Sequence, residues 1–453
     1  MIHAYKLGGY NIILDINSGS IHSVDEVAYD AVLLLEHSNE EEVKSRLMSK
    51  YPKLSGKDIA ELFHEINSLK SQKKLFAKDG YATAGEENIL PLKALCLNVA
   101  HECNMSCAYC FAGGRGDYGG GEGLMSLEVG KGAIDFLIKN SLGQKTLDID
   151  FFGGEPLLNW ETVKQITGYA RSREGASGKK FRFTLTTNGV LLSEDVINFT
   201  NREMHNVVLS LDGRPEINDH NRKLPDGSGS YHEVLTKHRE IIQARRGKGY
   251  YIRGTYTRNN IDFANDILHI SDLGFKEISL EPAVAKPGSP MAFTFDDLPE
   301  IFRQYEVLAI EMLRREKIGM GFNFYHFNLD LTSGPCVHKR IAGCGVGTQY
   351  MAVTPTGKLY PCHQFIGNKS FEIGSVQQGI TNEKLRKDFG KWNIYTRLEC
   401  QTCWARFYCS GGCASNAYNE TGLIEGVYKI GCEMFKKRIE CAIMLKVAGA
   451  ERT

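Results

Sequence analysis

Cys103, Cys107 and Cys110 form a C-x3-C-x2-C triplet, and this spacing constrains the fold more than any other feature of the chain. Three thiolates this close can hold three irons of a cubane 4Fe–4S cluster and leave the fourth iron without a local protein ligand. An open iron can chelate a small molecule, and cysteine-ligated clusters can reach very negative potentials. A structural zinc ion, the competing interpretation, needs four ligands, and the residues between the cysteines offer no fourth. The triplet therefore predicts an iron–sulfur cluster.

Length, charge and the distribution of cysteines indicate the broad class of protein. A chain of 453 residues can form two or three domains, and its 54 basic and 54 acidic side chains balance, so we expect no nucleic-acid partner. We find no basic-then-apolar N-terminal signal and no apolar run of about 18 residues, which predicts a cytoplasmic protein without a membrane span. The 13 cysteines are mostly clustered, as metal ligands are, and only Cys96 and Cys441 are left for apolar packing.

Residues 1–80 are predicted to form a small separate module. Strands at 2–7 and 10–15 flank the turn pair Gly8-Gly9, and a third strand and three helices follow at 20–24, 26–36, 39–50 and 56–72. This order resembles a winged helix-turn-helix. DNA binding is disfavoured, because the helices are acid-rich and no basic recognition face is present. The polar residues 81–90 are predicted to be a linker.

Residues 91–300 alternate between short β-type runs and amphipathic helical stretches. This alternation predicts an α/β domain with a parallel sheet. The six expected strands lie at 94–99, 147–152, 182–187, 206–211, 250–256 and 276–281, and one of the helices lies at 126–140.

Polar motifs follow these strands at their predicted carboxyl ends, where the active sites of barrels assemble. Gly153-Gly154-Glu155-Pro156 follows the second strand, and its glycines permit a close approach of the backbone. Arg222 can form a bidentate pair with a carboxylate; a solvated loop arginine is the alternative. The other candidates at or after strand ends are Thr187, Asn188, Ser210, Asp212, Arg253 and Glu281.

Residues 301–453 carry a second cysteine pattern. Cys336 comes first, Cys344-x12-Gly357-x4-Cys362 follows, and then come Cys400-x2-Cys403-x5-Cys409-x3-Cys413 and Cys432. A zinc ribbon built on Cys400 and Cys403 would leave the remaining cysteines without an explanation. The spacings therefore favour further metal clusters.

The triplet, the Gly-Gly-Glu-Pro motif and the cysteine-rich tail together resemble the radical S-adenosylmethionine (SAM) enzymes that carry a SPASM extension. The resemblance implies a partial (β/α)6 barrel over residues 91–300, a winged-helix-like peptide-recognition domain before it, and a bridging region and SPASM domain over residues 301–453. It implies SAM and three 4Fe–4S clusters as cofactors, held by Cys103, Cys107 and Cys110, by Cys344, Cys362 and Cys413, and by Cys400, Cys403, Cys409 and Cys432. Cys336 either completes the first auxiliary cluster or leaves it with an open iron for a substrate ligand.

The same resemblance implies roles around SAM. Glu155 is expected to accept hydrogen bonds from the SAM ammonium group, and Arg222 to bind the carboxylate. Tyr109 is expected to pack on adenine or to cover the cluster. Residues such as Thr187, Asn188, Ser210 and Asp212 contact the ribose in relatives, and Arg253 and Glu281 are expected on the adenine side.

Within this group the chain resembles the SCIFF maturases, on the strength of the N-terminal module and the tail segments 334–345 and 359–365. These enzymes install thioether cross-links in a small cysteine-rich peptide. The resemblance implies a ribosomally made precursor peptide as the partner, with its leader added as a strand to the N-terminal module. It also implies an electron donor such as flavodoxin or ferredoxin. The alternatives are another radical SAM/SPASM peptide or protein maturase, such as a formylglycine-generating sulfatase maturase or an enzyme that forms carbon–carbon cross-links, an iron–sulfur sensor, and a purely structural N-terminal module.

Overall fold

The computed structural model describes residues 1–82, 90–113, 123–285, 288–329, 331 and 337–450. Its N-terminal part has three strands followed by three helices, as the sequence predicts: β1 (Ile2–Leu7), β2 (Tyr10–Asp15), β3 (Ile21–Val24), α1 (Glu26–Leu35), α2 (Glu40–Lys50) and α3 (Gly56–Ser71). The second helix begins one residue later than predicted, because the Asn39 side chain caps it by accepting a hydrogen bond from the Glu42 N–H at 3.0 Å.

The central part alternates strands and helices. Its elements are β4 (Ala94–Ala100), β5 (Ser106–Cys107), α4 (Leu127–Asn140), β6 (Thr146–Gly153), α5 (Trp160–Ser177), β7 (Lys180–Thr187), α6 (Glu194–Glu203), β8 (Met204–Ser210), α7 (Pro215–Asn221), β9 (Arg222–Lys223), α8 (Tyr231–Arg245), β10 (Gly249–Tyr256), α9 (Phe263–Asp272), β11 (Glu277–Pro282), α10 (Leu298–Lys317) and β12 (Asn323–Phe324). All six predicted strands are present, with ends that differ by at most two residues from the prediction.

The C-terminal part consists of short elements before one long helix. They are α11 (Val337–Ala342), β13 (Tyr350–Val353), β14 (Lys358–Tyr360), β15 (Gly374–Ser375), β16 (Gly379–Ile380), α12 (Glu383–Lys391), α13 (Leu398–Gln401), α14 (Arg406–Cys409), α15 (Ala414–Thr421) and α16 (Lys429–Ala450). Within the described part of the chain, no helix is both long and apolar enough to cross a membrane.

One large mixed sheet joins the central and C-terminal parts. Its order is β12-β11-β10-β8-β7-β6-β4-β13-β14-β15-β16, and the seven strands from β12 to β4 in this order run parallel to one another. β13 continues this direction beside β4, and β14 to β16 are antiparallel. β5 and β9 pair with each other in a separate antiparallel ladder. The α/β fold with its six-stranded parallel core is therefore confirmed, and the tail extends the same sheet. Parallel strands are covered on both faces, and β4 is accordingly buried from Leu95 to Ala100.

The sheet of β1, β2 and β3 is covered on both faces. Alternate residues of a strand point to opposite faces. Tyr5, Ile12 and Leu14 belong to the large core that also contains residues of α16, whereas Ile13 packs with the core of α1 to α3. The N-terminal module therefore packs directly on the C-terminal part. The predicted linker lies largely outside the described residues, and the predicted domain boundaries stay predictions.

Candidate active site

The carboxyl ends of the parallel strands open into a cavity of about 760 Å³. Sequence-predicted residues that line it are Cys103, Cys107, Tyr109, Cys110, Gly153, Gly154, Glu155, Thr187, Asn188, Ser210, Arg222, Arg253 and Glu281, and on its other side Cys344, Cys409, Cys413 and Cys432. Asp212, Cys362, Cys400 and Cys403 do not line it. One space therefore connects the predicted SAM pocket with the cysteine-rich tail.

The cysteine triplet lies in a loop that is paired with a distant segment of the chain. Cys107 in β5 is the strand partner of Arg222 in β9, and the Ala108 N–H donates to the Asn221 carbonyl at 2.9 Å. Burial, followed by the negative charge of Glu155, raises the pKa of the Cys103 thiol to about 12. Metal ligation needs thiolates, so the binding of an iron–sulfur cluster by these cysteines must release their thiol protons.

The two glycines of the Gly-Gly-Glu-Pro motif bring it against the chain that leads into the triplet. Gly153 has φ +137°, and a Cβ there would stand 2.1 Å from the Ala100 carbonyl oxygen; a Cβ on Gly154 would stand 2.1 Å from that of Glu102. The Glu155 N–H donates to the Glu102 carbonyl at 2.9 Å. Larger residues would therefore separate Glu155 from the cluster loop.

The Glu155 carboxylate is buried and held by three donors. Oε1 accepts from the Leu157 N–H at 3.0 Å and the Thr187 hydroxyl at 2.7 Å, and Oε2 accepts from the Asn188 N–H at 2.8 Å. Burial raises its pKa to about 7, although these hydrogen bonds act in the opposite direction. A carboxylate has about four acceptor positions, so Oε2 can accept a further bond from a cation in the cavity.

Asn188 also contacts the loop of the cysteine triplet. Its Nδ2 donates to Asn104 Oδ1 at 2.8 Å and lies 3.9 Å from the Cys103 sulfur. Thr187 and Asn188 thus have hydrogen-bond partners in Glu155 and the cysteine loop, in addition to any contact with a ribose.

Asp212 lies behind the cavity wall. Its carboxylate accepts from the Tyr109 hydroxyl at 2.8 and 2.9 Å and from the Thr255 N–H at 3.1 Å, and the residue is fully buried. Arg222 Nη1 donates to the same Tyr109 oxygen at 2.9 Å. The sequence predicts Asp212 as a cofactor contact; in the structure its carboxylate accepts from groups of the protein and does not line the cavity, and a contact with SAM stays a prediction.

The outer rim carries a loose ion pair. Arg253 in β10 and Glu281 in β11 stand 3.7 Å apart, and about half of each side chain is exposed. Both therefore remain available to a ligand in the cavity.

The tail thiols fall into two groups. Burial, followed by the nearby Cys413 and Cys344, raises the pKa of Cys362 to about 12. Burial, followed by the nearby Cys432, Cys400 and Cys403, raises the pKa of Cys409 to about 12. The first group is Cys344, Cys362 and Cys413, and the second is Cys400, Cys403, Cys409 and Cys432. These are the two sets that the resemblance assigns to the two auxiliary clusters. Cys336 lies outside the described residues.

Sequence reasoning missed several cavity residues. Arg340, Arg438 and His363 line the tail side of the cavity. His363 directly follows Cys362, and that adjacency was a signal. Arg438 lies on α16, more than 150 residues after β11, the last of the parallel strands that contribute to the cavity, so nothing local in the sequence predicts its position.

The donor set fits a cubane cluster and SAM. Three free thiols, a buried carboxylate with a spare acceptor position, and Arg222 meet in one cavity. In the described part of the chain, no three His, Cys, Asp or Glu side chains stand close enough together to hold a single metal ion.

Comparison with known proteins identifies the central part. Residues 97–262 match the model of the radical SAM superfamily. The radical SAM cyclopropyl synthase TigE of Paramaledivibacter caminithermalis is 22% identical over 76% of this chain and 72% of its own. The cysteine-type anaerobic sulfatase-maturating enzyme of Clostridium perfringens is 23% identical over 78% of this chain and 96% of its own.

Solved structures share the fold. The structure of anSMEcpe with bound AdoMet and a Cp18Cys peptide aligns with a TM-score of 0.64 at 22% identity, over 80% of this chain and 99% of that one. Streptococcus suis SuiB bound to S-adenosylmethionine aligns with a TM-score of 0.53 at 16% identity, over 94% and 97%. Residues 97–262 are therefore a radical SAM domain, and the chain has the radical SAM α/β fold with a cysteine-rich C-terminal region.

Proposed function

We propose that this radical SAM enzyme forms intramolecular thioether cross-links in a ribosomally made, cysteine-rich precursor peptide. The observation that carries the proposal is the single cavity that reaches from Cys107 and Glu155 to Cys344 and Cys413. The cavity can therefore hold a substrate thiol on its tail side and an acceptor residue on its SAM side at the same time. Both groups belong to one peptide, and holding them in one cavity would orient the sulfur toward the acceptor carbon.

The SAM side of the cavity supplies binding and orientation. In the proposal, Cys103, Cys107 and Cys110 hold a 4Fe–4S cluster, which supplies, when bound, the electron that cleaves SAM to methionine and a 5′-deoxyadenosyl radical. Glu155 holds the SAM ammonium group and Arg222 the carboxylate. Thr187, Asn188, Ser210, Arg253 and Glu281 supply polar contacts along the nucleoside. Asp212 acts through Tyr109.

The tail side supplies the sulfur position. We assign one auxiliary 4Fe–4S cluster to each of the two sets of tail cysteines. The cluster held by Cys344, Cys362 and Cys413 would accept the surplus electron of bond formation. The guanidinium groups of Arg340 and Arg438 favour the thiolate form of a substrate cysteine, because an adjacent positive charge stabilises it. In the proposal, the first auxiliary cluster keeps an open iron for this thiolate rather than taking Cys336 as a ligand.

The N-terminal module is proposed to bind the leader of the peptide. Both faces of its sheet are covered, so binding would use a strand edge. Among the described residues, no strand pairs with the outer edge of β3. An electron donor such as flavodoxin or ferredoxin is the second proposed partner.

A sulfatase-maturating activity is the alternative, supported by the curated relative that bears that name. Co-expression with a candidate short cysteine-rich precursor peptide, followed by mass measurement, separates the two. A thioether enzyme removes two hydrogens per cross-link and protects cysteines from alkylation; a formylglycine product reacts with an aldehyde reagent. An unmodified peptide that nevertheless binds the enzyme would contradict both.

The carbon atom that is attacked can be determined in the same system. A peptide deuterated at the α-carbon of the acceptor residue should transfer deuterium to 5′-deoxyadenosine if sulfur joins that carbon. The matched control is the enzyme with Cys103, Cys107 and Cys110 replaced by Ala, which should neither transfer deuterium nor change the peptide mass.

A further inference from the structure

We infer that Tyr109, Asp212 and Arg222 form an internal anchor that positions the cysteine triplet, and that Asp212 is a positioning residue of this loop rather than a ligand of SAM. The inference rests on the proposed binding of a cluster by the triplet. It does not depend on which peptide product is formed.

The anchor is a directed chain of hydrogen bonds. Arg222 Nη1 donates to the Tyr109 hydroxyl oxygen at 2.9 Å, and that hydroxyl donates to the Asp212 carboxylate at 2.8 and 2.9 Å. Asp212 is fixed in turn by the Thr255 N–H at 3.1 Å and by its own N–H, which donates to Asn218 Oδ1 at 3.3 Å. The phenol thus connects a cluster loop to the ends of β8 and β10.

Tyr109 stands between two of the three cysteines, so its position governs both. The first half of the loop is attached elsewhere by the pairing of Cys107 with Arg222 in the β5–β9 ladder and by the hydrogen bond between Asn188 and Asn104 at 2.8 Å. Both lie before Tyr109 in the chain. The Tyr109 hydroxyl restrains the second half of the loop together with the contact between the Phe111 and His363 rings, whose centroids lie 5.4 Å apart. Cys110 lies between these two attachments and must point at the same cluster as Cys107.

The electrostatics explain why a tyrosine serves here. Asp212 is fully buried, and its partner Arg222 is 4.0 Å away, with a side chain only 9% exposed. A buried ion pair that is not in direct contact needs its remaining hydrogen-bonding positions satisfied. The Tyr109 hydroxyl does this for both ions at once, by accepting from the cation and donating to the anion. Phenylalanine at this position would fill the same volume but leave the two ions without their shared partner.

An anchor and a SAM ligand make different predictions. Loss of a SAM ligand weakens SAM binding but leaves the SAM-free cluster as it was. Loss of an anchor alters the cluster before SAM is added. The measurement that separates them is therefore made on the reduced, SAM-free protein.

The test compares Tyr109→Phe and Asp212→Asn with wild type and with Tyr305→Phe. Tyr305 is a matched control, because its buried hydroxyl is hydrogen-bonded at 2.7 Å to that of Tyr256 in β10 and neither residue lines the cavity. Subtracting the electron paramagnetic resonance spectrum of the Cys103/Cys107/Cys110→Ala protein isolates the signal of the SAM-binding cluster. Iron release to a chelator gives a second measurement that does not need turnover.

Both anchor variants should shift the SAM-free signal and release the irons of this cluster about tenfold faster, since each loses charge-assisted hydrogen bonds. The tail clusters and Tyr305→Phe should match wild type. Tyr109→Phe alone decides the inference if Asp212→Asn does not fold. Anchor variants with a wild-type SAM-free signal and wild-type iron release would overturn the inference. A wild-type protein without any SAM-responsive cluster would instead overturn the proposed function, and the anchor with it.

Discussion

Replacing Glu155 by Gln changes one charge in the proposed SAM pocket at almost constant volume. The carboxylate accepts hydrogen bonds from Leu157, Thr187 and Asn188, and the amide of Gln has only one acceptor oxygen. The variant also loses the negative charge that is proposed to bind the SAM ammonium group. A hydrogen bond to a charged group contributes about 1.5–3 kcal/mol. The dissociation constant for SAM should therefore rise roughly ten- to a hundredfold, because each ~1.4 kcal/mol is a factor of ten.

The pH dependence of SAM binding tests whether the charge of Glu155 is responsible for this effect. Burial raises the pKa of Glu155 to about 7, so the carboxylate that attracts the ammonium group is present above that pH and lost below it. The affinity of wild type for SAM should be highest above pH 7 and fall by about tenfold per pH unit below it, until it reaches the affinity of the Gln variant. Gln has no titrating proton, so the affinity of the variant should be nearly independent of pH in this range.

Equilibrium binding of labelled SAM to the anaerobically reconstituted protein measures both effects without turnover. Iron content should be unchanged, since Glu155 is assigned to SAM and not to a cluster. Glu277→Gln is the matched control, because Glu277 lies at the start of β11 and is bonded to Asn323, away from the cavity. Wild-type SAM affinity in Glu155→Gln, with the wild-type pH dependence, would refute the assignment of this pocket.

Three further predictions follow from the same geometry. Reconstituted wild type should hold about twelve irons and the Cys103/Cys107/Cys110→Ala variant about eight, without 5′-deoxyadenosine formation; continued cleavage of SAM would contradict the radical SAM site. Cys344/Cys362/Cys413→Ala should lose about four irons, keep SAM cleavage and lose cross-linking, while the buried Cys96→Ala keeps all the irons; equal iron loss in both would disprove the grouping. Deleting residues 1–80 should lower the melting temperature and promote aggregation, because Tyr5, Leu7 and Ile12 leave the core they share with α16; an unchanged melting curve would show that the module is a separate unit.

Local patterns were enough to predict the central fold. The strand at residues 182–187 and its neighbours are short β-type runs, and a helix between them shows a clear apolar face, so the alternation of strands and helices indicated a parallel sheet. The turns after these strands could also be predicted as the site, since parallel strands bring their carboxyl ends to one edge. The sequence indicated that the glycines at 153–154 permit a close approach of the backbone. It did not indicate that they would approach Ala100 and Glu102.

The sequence by itself determined which strand ends of the central domain carry polar groups. A cysteine triplet follows the first strand, an acidic residue follows the second, and polar turns follow the next two. Only the tertiary structure decided which of these side chains face the cavity. Asp212 and Ser210 are two residues apart at one strand end, yet Ser210 lines the cavity and Asp212 lies behind Tyr109. The packing of β1 on α16 was equally hidden, since both faces of β1–β3 are apolar. Contacts between residues 100 or more positions apart, such as Tyr109 with Asp212, leave no periodicity in a sequence, because they depend on how whole elements pack.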